Sequence, residues 1–159
     1  MNVLTVNLLL STFVFWVAAG RYVVPRLPEL SFKSVMVPIL LLHSMRHLGL
    51  MFLAPGAIYP GLPPQFAYPA ALGDLLTALL ALAALLAGAP RTLVWVFNVV
   101  GTADLIAAIT LATLHGAPPF MGPAYWIPAF WVPALLVTHY LTFVVLLRPA
   151  FSAAISGAR

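Results

Sequence analysis

Apolar residues fall into five long runs, at about 3–20, 32–54, 65–88, 92–115 and 124–147, separated by short stretches dense in proline and glycine. An α-helix needs ~20 apolar residues to cross the hydrocarbon core of a bilayer, so the pattern predicts five membrane-spanning helices. The breaks carry helix-ending chemistry: Pro25, Pro28 and Glu29; Pro60, Gly61, Pro63 and Pro64; Gly88, Ala89 and Pro90; and Gly116 through Pro123. Every break is brief, so residues 1–159 are expected to form a single all-α bundle. Pro69 sits where it can start a helix, whereas Pro128 and Pro133 should bend the fifth span.

Composition fixes the solvent. The chain is 64% hydrophobic and 6% charged, with a mean hydropathy of +1.09, whereas a soluble domain carries about a quarter charged residues. There is too little polar surface to cover a water-soluble globule, so the lipid bilayer is the expected partner and a cell (inner) membrane the expected location. Met1 through Ala19 lacks a basic leader region and reads as a retained first span.

The net charge is +4, yet the basic residues neither cluster nor line one helix face, so nucleic acid is not expected as a partner. They mark topology instead. Arg21, Arg26 and Lys33 flank the first break, Arg91 lies in the third, and Arg148 and Arg159 follow the last span, while the second and fourth breaks have no Lys or Arg. The positive-inside rule then places the N-terminus outside and the C-terminus in the cytoplasm. Tyr59, Phe66, Tyr68, Phe120, Tyr125, Trp126 and Trp131 gather at the outer connections, as an interfacial belt or as the entrance to a pocket.

Asp74, Asp104 and Arg46 lie deep within apolar runs. A charge at the bilayer centre costs at least ~2.5–3.5 kcal/mol, so such residues face a bundle interior and mark a site. At ~1.5 Å per residue, Arg46, His47, Asp74 and Asp104 fall roughly 20–23 Å from the cytoplasmic helix ends. His43, His139 and Asn98 fall lower, at about 17, 13 and 10 Å on the same scale. Spacing of three and four puts His43, Arg46 and His47 on one face, and likewise Asn98, Gly101 and Asp104, Asp74 and Thr77, and His139 and Thr142. The sequence thus predicts an upper charged layer above a lower imidazole and amide layer.

One Arg against two Asp leaves a surplus negative charge, which a protonated His47, a neutral Asp or a cation would balance. The favoured reading is a cavity that binds or passes a small ligand, a lipid headgroup or protons, through Arg46, His47, Asp74, Asn98, Asp104, His139 and His43. A purely structural ion-pair network is the plain alternative. No cofactor is favoured. Zinc would use His43, His47, His139 and Asp74. With Asp104 and Ser44, the set of three His, two Asp and one Ser resembles the intramembrane zinc hydrolases of the ceramidase and progestin-receptor superfamily in residue type, though not in span number or motif order. A b-type haem would need His43 and His139 facing each other. Catalysis is left open. Retinal is excluded because the only lysine, Lys33, sits at a helix end, and the absence of cysteine excludes disulfides and thiolate metal sites. Small residues at Ala83/Ala87, Ala84/Gly88, Ala103/Ala107 and Ala108/Ala112 give the third and fourth spans faces for close packing, within the bundle or in a homo-oligomer.

An ordered set of short motifs resembles a family of small uncharacterised bacterial integral membrane proteins. It comprises Arg46-x-x-Gly49-x-x-Phe52-Leu53, Leu62-Pro63 with Phe66-Ala67 and Pro69-Ala70, Gly73-Asp74, Asn98-x-x-Gly101-x-x-Asp104-Leu105, and Pro128-Ala129-Phe130 with Pro133 and His139. The resemblance implies the helical membrane architecture and groups Arg46, Asp74, Asn98, Asp104 and His139. It carries no activity.

Overall fold

Helix boundaries in the computed structural model, which describes residues 3–148, follow the proline and glycine breaks. Helix α1 covers Val3–Ala18, α2 Phe32–Ser44, α3 Pro64–Leu86, α4 Arg91–Leu114 and α5 Val132–Leu147. With their helical extensions these make five stretches long and apolar enough to cross a membrane, and no strand occurs among the described residues. Arg159, counted above with the basic end, lies outside the described residues.

Two departures from uniform α-helix matter. After Ser44 the second stretch tightens into a 3-10 helix, Met45–Leu53. Runs of this kind seldom exceed three or four residues, and their side chains eclipse every third position. That period lines up Arg46, Gly49 and Phe52, the three buried residues of the segment. An α-helix would turn position 52 about 120° away from position 46. In the fifth stretch, Pro128 lies within a π-turn, Ile127–Trp131, that leads into α5. The regular α-helical hydrogen bonding is altered at Pro128, where a proline ring removes one N–H and crowds the preceding turn, and Pro133 falls in the first turn of α5.

Helix α3 is central, packing on the 3-10 segment, α4 and α2, whereas α1 packs chiefly on α5 and its π-turn. At one end, the connections after Leu53 and Leu114 are stitched together: Tyr59 N–H donates to the Phe120 carbonyl (2.9 Å) and Ala124 N–H to the Ala57 carbonyl (2.8 Å). Gly122 permits this approach. Its φ is +49°, and a Cβ there would lie 3.1 Å from Tyr59 N. At the other end Arg91 donates to the Leu146 carbonyl (2.6 Å) and lies 5.1 Å over the Phe32 ring.

The core is split. Leu27, Met36, Leu40, Val94, Phe97 and Val145 pack near the basic end, and Phe52, Phe66, Leu105, Met121, Ile127 and Leu135 near the capped end. Between these apolar clusters lie the buried polar residues His43, Arg46, Asp74, Thr77, Asn98, His139 and Thr142.

Candidate functional site

Arg46 is the hub of this layer. Its side chain is fully buried and its N–H groups are shared among three helices. Nε donates to Asp74 Oδ1 (2.7 Å) on α3, Nη2 to Asp104 Oδ2 (2.5 Å) on α4, and Nη1 to the Gly101 carbonyl (3.2 Å). The same Nη1 lies 3.2 Å from His139 Nε2 on α5. A guanidinium nitrogen only donates, so Nε2 accepts there with its lone pair and the ring proton sits on Nδ1. That Nδ1–H donates to Asn98 Oδ1 (2.7 Å), and Asn98 Nδ2–H donates back to the His139 carbonyl (3.3 Å). One chain of donors thus fixes the imidazole tautomer and the amide orientation.

Three glycines make the assembly possible. A Cβ on Gly49 would collide with the Asp74 carboxylate, and one on Gly73 with the Asp104 carboxylate. On Gly101 it would lie 2.6 Å from His139 Cε1 and from Thr77 Cγ2. Each glycine leaves the slot that a polar side chain of a neighbouring helix fills. These glycines stand in the sequence motifs, but their partners emerge only from the packing.

His43 is also fully buried, on the last turn of α2. Thr138 spends its hydroxyl proton on backbone carbonyls, Ala134 (2.9 Å) and Leu135 (3.1 Å). Its oxygen therefore accepts from His43 Nε2–H at 2.9 Å. His43 Nδ1 and the Thr77 hydroxyl are buried without a hydrogen-bond partner. Sequence reasoning missed Thr138; beside His139 in an apolar run it gives no signal of its own.

His47 departs from the predicted face. It is exposed on the outside of the bundle, and its Nδ1–H donates to the Ser44 carbonyl (3.0 Å). The expectation of a shared His43–Arg46–His47 face assumed α-helical periodicity, and the 3-10 turn rotates His47 away. His47 is thereby separated from the other proposed zinc ligands, and no group of three or more His, Asp or Glu that could hold a metal ion occurs among the described residues. Haem does not fit between His43 and His139 either: their ring centroids are 4.3 Å apart, in direct contact, with no space for a porphyrin.

Beside the charged layer lies a partly enclosed cavity of about 320 Å³. Leu4, Thr5 and Leu8 of α1 line it, together with Leu105, Ala108, Ile109 and Ala112 of α4. Asp74 is the one ionisable side chain among the described residues that line it. Nothing along the chain marks α1 as part of the site, since Val3–Ala18 carries no charge. Ala108 and Ala112, expected as a helix-packing face, line this space, while Ala83, Ala87, Ala103 and Ala107 are exposed outside the bundle.

Residues 3–147 match the family described as Domain of unknown function (DUF8737). The chain belongs to this family. The match takes in every helix and every residue of the polar layer. No curated protein and no solved structure matches the chain.

Proposed function

We propose that this chain is a five-span integral membrane protein that binds a small amphiphilic molecule in the cavity beside Asp74. Membrane insertion is supported by the ring of large apolar side chains left exposed on all five helices, among them Leu10, Phe13, Leu41, Leu79, Val99, Ile106 and Leu147. A soluble monomer does not leave such a continuous apolar surface to water. With the basic residues inside, the capped end and its cavity lie at the outer face of a bacterial inner membrane.

The observation that carries the binding reading is the cavity's lining: apolar walls ending at a single carboxylate. Its volume of about 320 Å³ falls at the lower end of the range for small-molecule sites, roughly 300–1,000 Å³, where a few polar groups among apolar walls fix orientation. An apolar body would lie between α1 and α4 and its polar head at Asp74. A membrane-dissolved molecule would enter where the partly enclosed cavity opens.

Titrating ten-carbon amphiphiles into the protein in lipid nanodiscs tests this. Decanol or decyltrimethylammonium should raise the unfolding temperature saturably, and Ala108→Phe, which fills the cavity, should remove the effect. An unsaturable response identical in both proteins would reject the site. A purely structural role is favoured by one fact, that every nitrogen of Arg46 is engaged; it leaves the cavity at Asp74 without a purpose.

A further inference from the structure

The hydrogen bonds of the polar layer settle a charge balance. Arg46 contributes one positive charge, and Asp74 and Asp104 are the two carboxylates that grip it. His139 adds none, because its Nε2 lone pair accepts from Arg46. His43 adds none, because a protonated ring would leave Nδ1–H buried with no acceptor. Among the described residues no other charged group is hydrogen-bonded to this cluster, and His115, beside the cavity-lining Thr113 and Gly116 at the end of α4, is exposed. The described part of α1 has no ionisable group, residues 122–131 contribute only the phenol of Tyr125, and His47 faces away. One negative charge is left over.

Its location is equally constrained. Nε and Nη2 lie along one edge of the guanidinium, so the carboxylates they hold are side by side. Each receives a hydrogen bond from Arg46. Two carboxylates sharing a site out of bulk water do not both ionise at no cost; one holds a proton unless another cation arrives. Of the two, Asp74 also lines the apolar cavity.

We propose that the cavity takes amphiphiles with a cationic head, and that the head displaces the proton held between Asp74 and Asp104. This rests on the cavity being a binding site, as proposed above. In the empty state one carboxyl is a neutral acid, and the cluster of Arg46, Asp74 and Asp104 carries no net charge. When the cation enters beside Asp74, the carboxyl O–H bond breaks, its electron pair stays on oxygen, and the proton leaves to water. Cation and proton compete for one charge, so occupancy of the site is coupled to pH.

A fixed-charge probe tests the exchange, since it brings no proton of its own. The full-length protein in nanodiscs is titrated with decyltrimethylammonium in weakly buffered solution containing a pH-indicator dye, at several pH values between 5 and 8. Decanol serves as the neutral probe of the same chain length. The expected result is proton release approaching one per cation bound, and none with decanol. Asp104→Asn, which leaves Arg46 and Asp74 balanced, should lose the release. Saturable cation binding without proton release across that range would overturn the exchange and leave the cavity site standing, as would binding of decanol but not of the cation. Failure of both probes to bind saturably would overturn the cavity site itself.

Discussion

Gly73 opposes Asp104 so closely that a methyl group on Gly73 would occupy the space of the Asp104 carboxylate. Residue 73 is therefore a notch and residue 74 a charge, and α3 presents them side by side. Asp104 reaches Arg46 only because the notch exists.

Gly73→Ala should accordingly destabilise the protein, though alanine is the better helix former. Overpacking of a filled interior costs about 1–3 kcal/mol, and displacement of a buried ion pair adds to it. Gly20→Ala is the control, because a Cβ there meets nothing within 4 Å. Thermal unfolding in mild detergent should show a lower midpoint for Gly73→Ala and little change for Gly20→Ala.

Arg46 and its partners should respond unequally to neutralisation. Arg46→Gln leaves two adjacent carboxylates without a cation, and loss of one partner from a buried pair typically costs 3–5 kcal/mol. Asp104→Asn removes the second carboxyl and leaves a matched Arg46–Asp74 pair, so it should be the milder change. Adding Asp104→Asn to Arg46→Gln should recover part of the loss. Arg46→Lys should not rescue, because an ammonium cannot reproduce the planar fork that serves α3, α4 and α5 together. Unfolding midpoints across this set would read the order directly; equal losses for Arg46→Gln and Asp104→Asn would contradict the charge balance.

His139 should carry its proton on Nδ1. Nitrogen-15 NMR of histidine-labelled protein distinguishes a protonated Nδ1 from a protonated Nε2, and the expected pattern is Nδ1–H with Nε2 bare. Asn98→Ala removes the acceptor for that proton and should cost about 1–3 kcal/mol, the penalty of a buried unsatisfied donor. An Nε2–H tautomer would break the link drawn from Arg46 to Asn98.

Reporter fusions address orientation. Fusions at Pro60 and Pro118, in the stitched connections, should report from outside, and a fusion at Gly88 or the C-terminus from the cytoplasm. A C-terminal fusion reporting from outside would invert the arrangement and put the cavity at the cytoplasmic face.

Much of this architecture is legible in the chain. The five apolar stretches stand out because helices of this length need one kind of side chain almost throughout, and proline with glycine marks their ends. Arg46, Asp74 and Asp104 signal themselves by charge in an apolar context, and depth counting brings them to one level. Periodicity misled at His47, since nothing local announces the change from 3.6 to 3 residues per turn after Ser44; the cue is distributed over Arg46, Gly49 and Phe52, whose common burial requires it. Thr138 and the wall formed by Leu4, Thr5 and Leu8 gave no cue, because they acquire their roles only through packing between distant segments.

Native mass spectrometry tests the cavity most directly. The intact protein is released from nanodiscs after equilibration with decyltrimethylammonium, and the mass of what stays bound is counted. A single retained amphiphile in the native protein, lost in Ala108→Phe and weakened in Asp74→Asn, is the predicted result. Equal retention in all three proteins, or retention of neither decyltrimethylammonium nor decanol in any of them, would contradict a binding site between α1 and α4 at Asp74.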